Sequence, residues 1–385
     1  MNHHNRKSRT LRTGAGAIAL AAALLAAGCA TQQPLAERWA QLRVEQPKTH
    51  PRDAAQKLGV SEAQLVATDV GRQAVRLNDG EQNFKAIFER LPELGRIKAI
   101  TRNDNVVLER SGAVTPPRRD AEGRVTPGTG FAGGPIDLRF STAQWGSAFA
   151  VVQPGRGGKT SRSLQFFDRY GDAVHKVYLD NDEHIAAFDK LVADFRMAEQ
   201  RTELKVEPAP APGPVVANAK PSEEDIKELR LSWHELTDVH QFPRLLRDLK
   251  LTREQALQLI GGDSAWRIQP QAAQALIEDA RSRKQPIMVF VSSRGMTQIY
   301  SGPVDKTSTS GEWYNVLDPD FNLHLRQAAV DHGWVVRRPT DHGIVTSVEF
   351  YDARGNMIVN FFSRRDRGQE ETTLWRSIVG ALPRG

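Results

Sequence analysis

Apolar and polar positions alternate along this chain with two different periods. Between residues 245 and 260, the apolar set Leu245, Leu246, Leu249, Ala256, Leu257, Leu259 and Ile260 recurs at the spacing that lays side chains along one face of a helix. Thr252 with Gln255 has the arrangement of an N-terminal capping box: the hydroxyl serves the backbone N–H three residues on and the amide reaches back. Ser61 with Gln64 repeats that box in the first half of the chain. Residues 345–350 and 356–362 alternate β-branched or aromatic residues with polar ones around Asp352-Ala353-Arg354-Gly355. That alternation predicts a hairpin with a glycine-containing turn.

The two periods come in the same order in each half. Helical spacing covers residues 34–94 and again 223–281, and strand alternation follows each. Helices followed by runs of strands predict an α+β architecture with antiparallel sheets rather than a βαβ fold. Landmarks coincide as well: Ser61 with Thr252, Gly112 with Gly302, Asp137-Leu138-Arg139-Phe140 with Asn322-Leu323-His324-Leu325, and Ser163 with Ser347. The offset drifts from 191 residues at the first pair to 184 at the last, as duplication followed by small insertions and deletions produces. Between the halves, Pro208-Ala209-Pro210-Ala211-Pro212-Gly213-Pro214 resists helix and sheet and favours an extended spacer. The chain therefore divides into homologous repeats at 34–205 and 222–385, joined by a linker at 206–221.

Length and charge sharpen this picture. At 385 residues the chain exceeds what one compact core usually needs, which agrees with a duplicated unit. With 39% hydrophobic and 25% charged residues it is ordinary globular material, neither collagen-like, wholly disordered nor polytopic. A single cysteine excludes a disulfide framework and any cysteine-based zinc or iron–sulfur centre. The formal charge of +6 invites a polyanion partner, but Arg6, Lys7, Arg9 and Arg12 all precede an uncharged run that ends in Leu25-Ala26-Ala27-Gly28-Cys29. A basic start, a short apolar stretch and small residues before a cysteine predict an export signal over 1–28, lipid attachment at Cys29 and a tether over 29–33. The predicted location is the periplasmic side of a bacterial membrane; a miscalled start codon leaves a cytoplasmic protein instead. Without the signal the balance is +2, so no nucleic-acid partner is expected and the membrane is met only through the lipid.

Of the ten histidines, no two have the spacing of a helical metal motif. Gly155-Arg156-Gly157-Gly158-Lys159-Thr160 lacks the leading spacing of a phosphate loop, and no GxSxG nucleophile occurs. The segment 232–243 stands out: it sets His234, His240, Trp233 and Phe242 just ahead of the helix at Leu245. A histidine there is either a satisfied core residue or a ligand. Arginines near strand ends, among them Arg139, Arg338 and Arg365, are either a solvated face or bidentate partners for carboxylates.

On these residues the chain resembles the bacterial HemS/ChuS/PhuS-type haemin-degrading factors, a family of haem-utilisation and haem-trafficking proteins. The likeness runs from about Leu35 to Leu382. It is carried by Lys98-Ala99-Ile100-Thr101-Arg102-Asn103, Asp137-Leu138-Arg139, Gln165-Phe166-Phe167-Asp168, Leu236-Thr237-Asp238-Val239-His240 and Phe321-Asn322-Leu323-His324-Leu325-Arg326. The resemblance implies two structural repeats that build one site for haem b, as ligand or as substrate. It implies that His240 is the axial iron ligand and Arg139 the distal, catalytic residue. Arg253 is implied to line the pocket and meet a propionate, and Arg338 stands where the family usually has Lys. After the last strand the family typically shows Gln-Phe-Tyr and then Arg; here Asn360-Phe361-Phe362 and Arg365 keep the stacking surface and lose the phenolic donor. Two activities stay open, a haem-degrading enzyme and a carrier that hands haem to a separate oxygenase, with a haem importer or that oxygenase as partner.

Overall fold

The computed structural model describes residues 33–47, 49–116, 130–131, 134–210, 220–238, 240–366 and 368–385. The predicted export signal, Cys29, its tether as far as Gln32 and linker residues 211–219 lie outside them. Helix α1 (Leu35–Glu45) belongs to one compact unit, residues 1–49, and the other elements to a second, residues 50–385. No helix among the described residues is long and apolar enough to cross a membrane.

The first repeat continues with α2 (Pro51–Leu58), α3 (Glu62–Ala67), β1 (Ala74–Leu77), α4 (Glu81–Glu89), β2 (Arg96–Arg102), β3 (Val106–Ala113), β4 (Gly130–Phe131), β5 (Asp137–Phe140), β6 (Trp145–Pro154), β7 (Thr160–Asp168), β8 (Ala173–Leu179) and α5 (Ile185–Phe195). The second runs α6 (Glu223–His234), α7 (Gln241–Asp248), α8 (Arg253–Ile260), β9 (Ala265–Ile268), α9 (Ala272–Ser282), β10 (Ile287–Ser293), β11 (Met296–Gly302), β12 (Thr307–Ser310), β13 (Trp313–Asp318), β14 (Phe321–Arg326), β15 (His332–Thr340), β16 (Gly343–Tyr351), β17 (Met357–Ser363) and α10 (Thr373–Gly380). Both capping boxes form: Ser61 opens α3 and Thr252 opens α8, each with the reciprocal pair of bonds. Two features escape the predicted helices-then-strands plan. Short strands β1 and β9 lie within the helical stretches, because four-residue runs with buried ends pair along β6 and β15. Helices α5 and α10 close each repeat after its strands.

The strands form two antiparallel sheets. One has nine strands in the order β1-β6-β7-β8-β2-β3-β14-β13-β12, the other eight in the order β4-β5-β11-β10-β17-β16-β15-β9. Each repeat therefore lends strands to the other's sheet. β5 leaves the first repeat to pair with β11, and its counterpart β14 leaves the second to pair with β3. The linker separates the repeats in sequence but not in space, since neither sheet is complete without the other repeat.

The sheets pack through their inner faces. Val106 and Leu108 of β3 share a core with Val289 and Val291 of β10, and Leu138 and Met296 join the core of Ile97 and Ala99. The Gln298 side-chain amide, fully buried, donates to the Ala99 carbonyl at 3.1 Å and ties one sheet to the other. Successive residues on a strand point to opposite faces, so the polar partners of these core residues lie on the outer faces. Helices cover part of each outer face, α3 on the first sheet and α6 to α8 on the second.

Candidate functional site

On the outer face of the second sheet, cross-strand register sets Arg139 beside Thr297, Phe290 beside Ile299 and Asn360, and Phe362 beside Met288 and Ser347. Where β15 and β16 lie, α6 to α8 seal this face: Trp233, Phe242 and Leu257 pack with Trp334, Val336 and Tyr351. Past the helices, Met288, Phe290, Asn360 and Phe362 are only half-buried, and the Phe290 and Phe362 rings meet edge to face at 5.0 Å. The result is a partly open apolar strip bordered by α7 and by β5.

His240 stands at the N-terminal end of α7 with 88% of its side chain exposed. Its approach is staked from several sides. Gln241 Oε1 accepts from the backbone N–H groups of Thr237 and Asp238, and the Thr237 carbonyl accepts from Asp341 in the β15–β16 turn at 3.0 Å. Asp238 accepts from the His240 backbone N–H at 2.7 Å and contacts its Nδ1 at 2.5 Å. The His240 N–H, together with its ring, holds the Asp238 carboxyl below the usual carboxylate range. An ionised carboxylate only accepts, so Nδ1 carries the hydrogen and Nε2 is the ring nitrogen left for a ligand.

The arginines divide into two groups. Arg139 is 40% exposed on β5, held by Asp137 and bonded to the Leu138 carbonyl at 3.1 Å. Arg365 is half-buried beside the strip and donates to the Gln369 carbonyl at 3.1 Å. Arg253, expected to meet a carboxylate of a ligand, already meets one of the chain: both arms bind Glu349, each at 2.6 Å, and the guanidinium lies over Phe242 at 4.9 Å. Arg338 is buried too, with Ser347 Oγ at 3.1 Å, Glu349 at 3.9 Å and the Phe362 ring at 5.7 Å. Burial alone would raise the Glu349 carboxyl; Arg253 and then Arg338 overcome that and hold it at about 2. Burial beside Arg253 pushes Arg338 down to about 10. Glu349 also accepts from the hydroxyls of Ser347 and Tyr351. Sequence reasoning gave it no role, although a Glu among the apolar residues of a strand, where the first repeat has Gln165, was a visible signal.

The first sheet carries a counterpart. A cleft of about 380 Å³ on its outer face is lined by both repeats, through Ile100, Arg102 and Val107 of the first and Trp313, Asn315 and His324 of the second. His50 borders it as N-cap of α2, its Nδ1 accepting from the Arg52 backbone N–H at 3.3 Å. Partial burial and the Lys176 ammonium push the His50 imidazole down to about 4, and burial lowers His324 as well. Lys176 forms a buried pair with Glu62, the first residue of α3. A second, polar cleft of about 520 Å³ shares Asp53 and Arg102 with the first and adds Arg52, Arg326 and Arg354. Among the described residues, no three His, Cys, Asp or Glu side chains are placed to hold a bare metal ion.

Comparison with known proteins agrees with the two-repeat fold. The profile of the haemin-degrading HemS/ChuX domain matches residues 59–195 and 250–382, one segment in each repeat. The hemin transport protein HmuS of Yersinia pestis is 35% identical over 350 residues, which is 90% of this chain and 97% of that protein. Among solved structures, the haem-binding protein PhuS of Pseudomonas aeruginosa in its holo form has a TM-score of 0.81 at 38% identity, covering 91% of this chain and 98% of that one. ChuS, an E. coli haem oxygenase, has a TM-score of 0.74 at 31% identity, covering 90% and 98%.

Proposed function

The chain belongs to the haemin-degrading HemS/ChuX family, and from that premise we propose that it binds haem b for bacterial haem-iron utilisation, with Nε2 of His240 as the axial iron ligand. The observation that carries the proposal is the Asp238–His240 pair. It orients an exposed imidazole at the N-terminal end of α7 and leaves its outer nitrogen free. A carboxylate behind the far nitrogen also raises the basicity of a ligating imidazole. The surrounding residues suit the same group: Phe290 and Phe362 offer flat apolar contact, and Arg139 and Arg365 offer cations to carboxylates at the border. Arg253 pairs with Glu349 and Arg338 lies against the Phe362 ring; one carboxylate between two guanidiniums leaves a net positive charge beside the strip, which suits the carboxylates of haem.

Haem, when bound, supplies a redox-active iron, and the chain's share is to hold it, exclude water with the aromatic strip and present Arg139 from β5. Degradation is the second reading, favoured by the half-exposed Arg139 on the same face as Phe290 and Phe362 and by the resemblance to ChuS. The carrier reading needs a haem importer or a separate oxygenase as partner. The proposal extends to location: a lipid on Cys29 on the periplasmic side separates the protein from cytoplasmic reductant and favours relay over turnover. Mass spectrometry of the native N-terminus tests this, and an unmodified terminus upstream of Cys29 refutes it.

Haemin titration of the wild type and His240→Ala decides the ligand. Loss of affinity and a shifted Soret band in the variant are expected; an unchanged titration and spectrum overturn the assignment. Supplying the haem-loaded protein with an electron donor and catalase separates the activities. Loss of the Soret band with release of iron and a tetrapyrrole product marks an enzyme. A spectrum that changes only when an oxygenase is added marks a carrier.

A further inference from the structure

The turn that carries His240 has fixed ends and a free middle. Leu236 at its start and Phe242 at its end are buried, and Phe242 lies between the Trp233 ring at 5.1 Å and the Arg253 guanidinium at 4.9 Å. Between these anchors Thr237, Asp238, His240 and Gln241 are exposed. Each hydrogen bond of an exposed turn competes with water, so one alone holds little.

Gln241 gathers three of them. Its Oε1 accepts from the backbone N–H groups of Thr237 at 2.8 Å and Asp238 at 3.1 Å, and its Nε2 donates to Thr237 Oγ1 at 3.0 Å. The Gln241 backbone N–H donates to the Asp238 carbonyl at 3.2 Å and closes the turn. These partners settle which way the amide faces, since two N–H groups require its oxygen and the hydroxyl oxygen can accept from its nitrogen. His240 is the N-cap of α7, yet its side chain makes no capping bond, which leaves the ring to Asp238. Two cationic or donor groups draw on the Asp238 carboxylate. Oδ1 accepts from the His240 backbone N–H and contacts Nδ1, and the Arg365 guanidinium acts on the same charge. Which of them the carboxylate meets depends on where the backbone of residue 238 sits, and Gln241 holds the N–H of that residue.

We propose that Gln241 is a positioning residue for His240: by holding the backbone N–H groups of Thr237 and Asp238 on one amide oxygen, it keeps the Asp238 carboxylate behind Nδ1 and so selects the ring tautomer whose Nε2 is free to take a ligand. None of its side-chain hydrogen bonds goes to the ring, so it acts through Asp238. Only the role of Nε2 rests on the haem reading; the tautomer is set in the apo chain.

The test therefore begins without haem. Nitrogen-15 spectra of the His240 ring at alkaline pH, where the imidazole is neutral, report which nitrogen carries the hydrogen. The wild type is expected to be mainly the Nδ1–H form. Gln241→Leu, which keeps bulk at an exposed position and removes all three bonds, is expected to shift the population toward Nε2–H and to weaken haemin binding about tenfold, no further than Asp238→Asn does. Gln241→Glu, whose carboxylate accepts from both N–H groups and from the Thr237 hydroxyl, is expected to restore both. Gln241→Leu added to Asp238→Asn is expected to cost little beyond Asp238→Asn alone, because one residue acts through the other. Circular dichroism confirms the fold of each variant, and Gln241→Ala serves if the leucine variant does not fold. A ring that stays Nδ1–H in Gln241→Leu, a Gln241→Glu no better than Gln241→Leu, or losses that add in full in the double variant overturn the positioning role and leave the proposed function standing. If the tautomer follows Gln241 but His240→Ala takes up haemin as the wild type does, the proposed function fails and the positioning of the ring stands.

Discussion

Replacing Glu349 by glutamine keeps the volume and an acceptor for one of the Ser347 and Tyr351 hydroxyls, which use different carboxylate oxygens, while removing the charge that Arg253 and Arg338 share. Two buried guanidiniums then face each other without a counter-ion. Breaking a buried ion pair from one side costs about 3–5 kcal/mol. The carboxyl itself gives a second route to the magnitude. Its pKa falls from the usual 4.5 to about 2 on folding, and at about 1.4 kcal/mol per pH unit that is roughly 3 kcal/mol of stability. The sign follows from linkage: a depressed acid contributes in full above its unfolded pKa, and the contribution drains away as pH falls from about 4.5 to about 2. Urea unfolding of the wild type and Glu349→Gln at pH 7 and pH 3 is the assay, with stability taken from midpoint and slope. The expected gap is about 3 kcal/mol at pH 7 and roughly half that at pH 3. A gap under about 1 kcal/mol at pH 7, or one of equal size at both pH values, would refute the claim that Glu349 is an ionised counter-ion for both arginines.

Asp238→Asn, which keeps the shape but gives His240 a neutral partner, is expected to weaken haemin binding by about 10–100-fold in a Soret titration without loss of fold. The buried Glu62–Lys176 pair gives a contrast between single and double changes. Glu62→Gln strands an ammonium and is expected to cost about 3–5 kcal/mol in urea unfolding, whereas Glu62→Leu combined with Lys176→Met recovers most of that loss.

What could be read in advance was what is local. A capping box is decided by residues three apart, so both helix starts at Ser61 and Thr252 were visible without any tertiary information. Strand alternation likewise marked β16 and β17 to within two residues. Alternation says which residues share a face, not which sheet a strand joins. Hence the crossing of β5 to β11 and of β14 to β3 was hidden, and with it the fact that Arg139 lies with Phe290 and Phe362 while His324 lies with Ile100 and Arg102. The resemblance drew attention to His240, but the ring nitrogen it offers depends on the contact with Asp238, which only coordinates disclose. The partners of Arg253 and Arg338 were hidden for the same reason. The sequence context of each arginine shows a cation, and the counter-ion that takes up its charge sits about 96 residues further on or on a neighbouring strand.

The two buried ion pairs show how the repeats diverged while keeping one plan. In the first, the acid opens the helix and the base is on the strand, Glu62 with Lys176; in the second the order is inverted, Arg253 with Glu349. An acid in the first turn is favoured by the helix dipole and a base is opposed by it, each by about 0.3–1 kcal/mol. The second repeat therefore accepts an unfavourable end charge, and the bidentate geometry of Arg253 on Glu349 more than offsets it. What the fold preserves is a compensated pair locking the capped helix to its sheet, whichever partner carries which sign. The same freedom reaches the outer faces of the crossing strands, where histidine and arginine stand at equivalent positions on β14 and β5. Strand exchange keeps these two residues on different sheets, so the outer face of each sheet is built from both repeats.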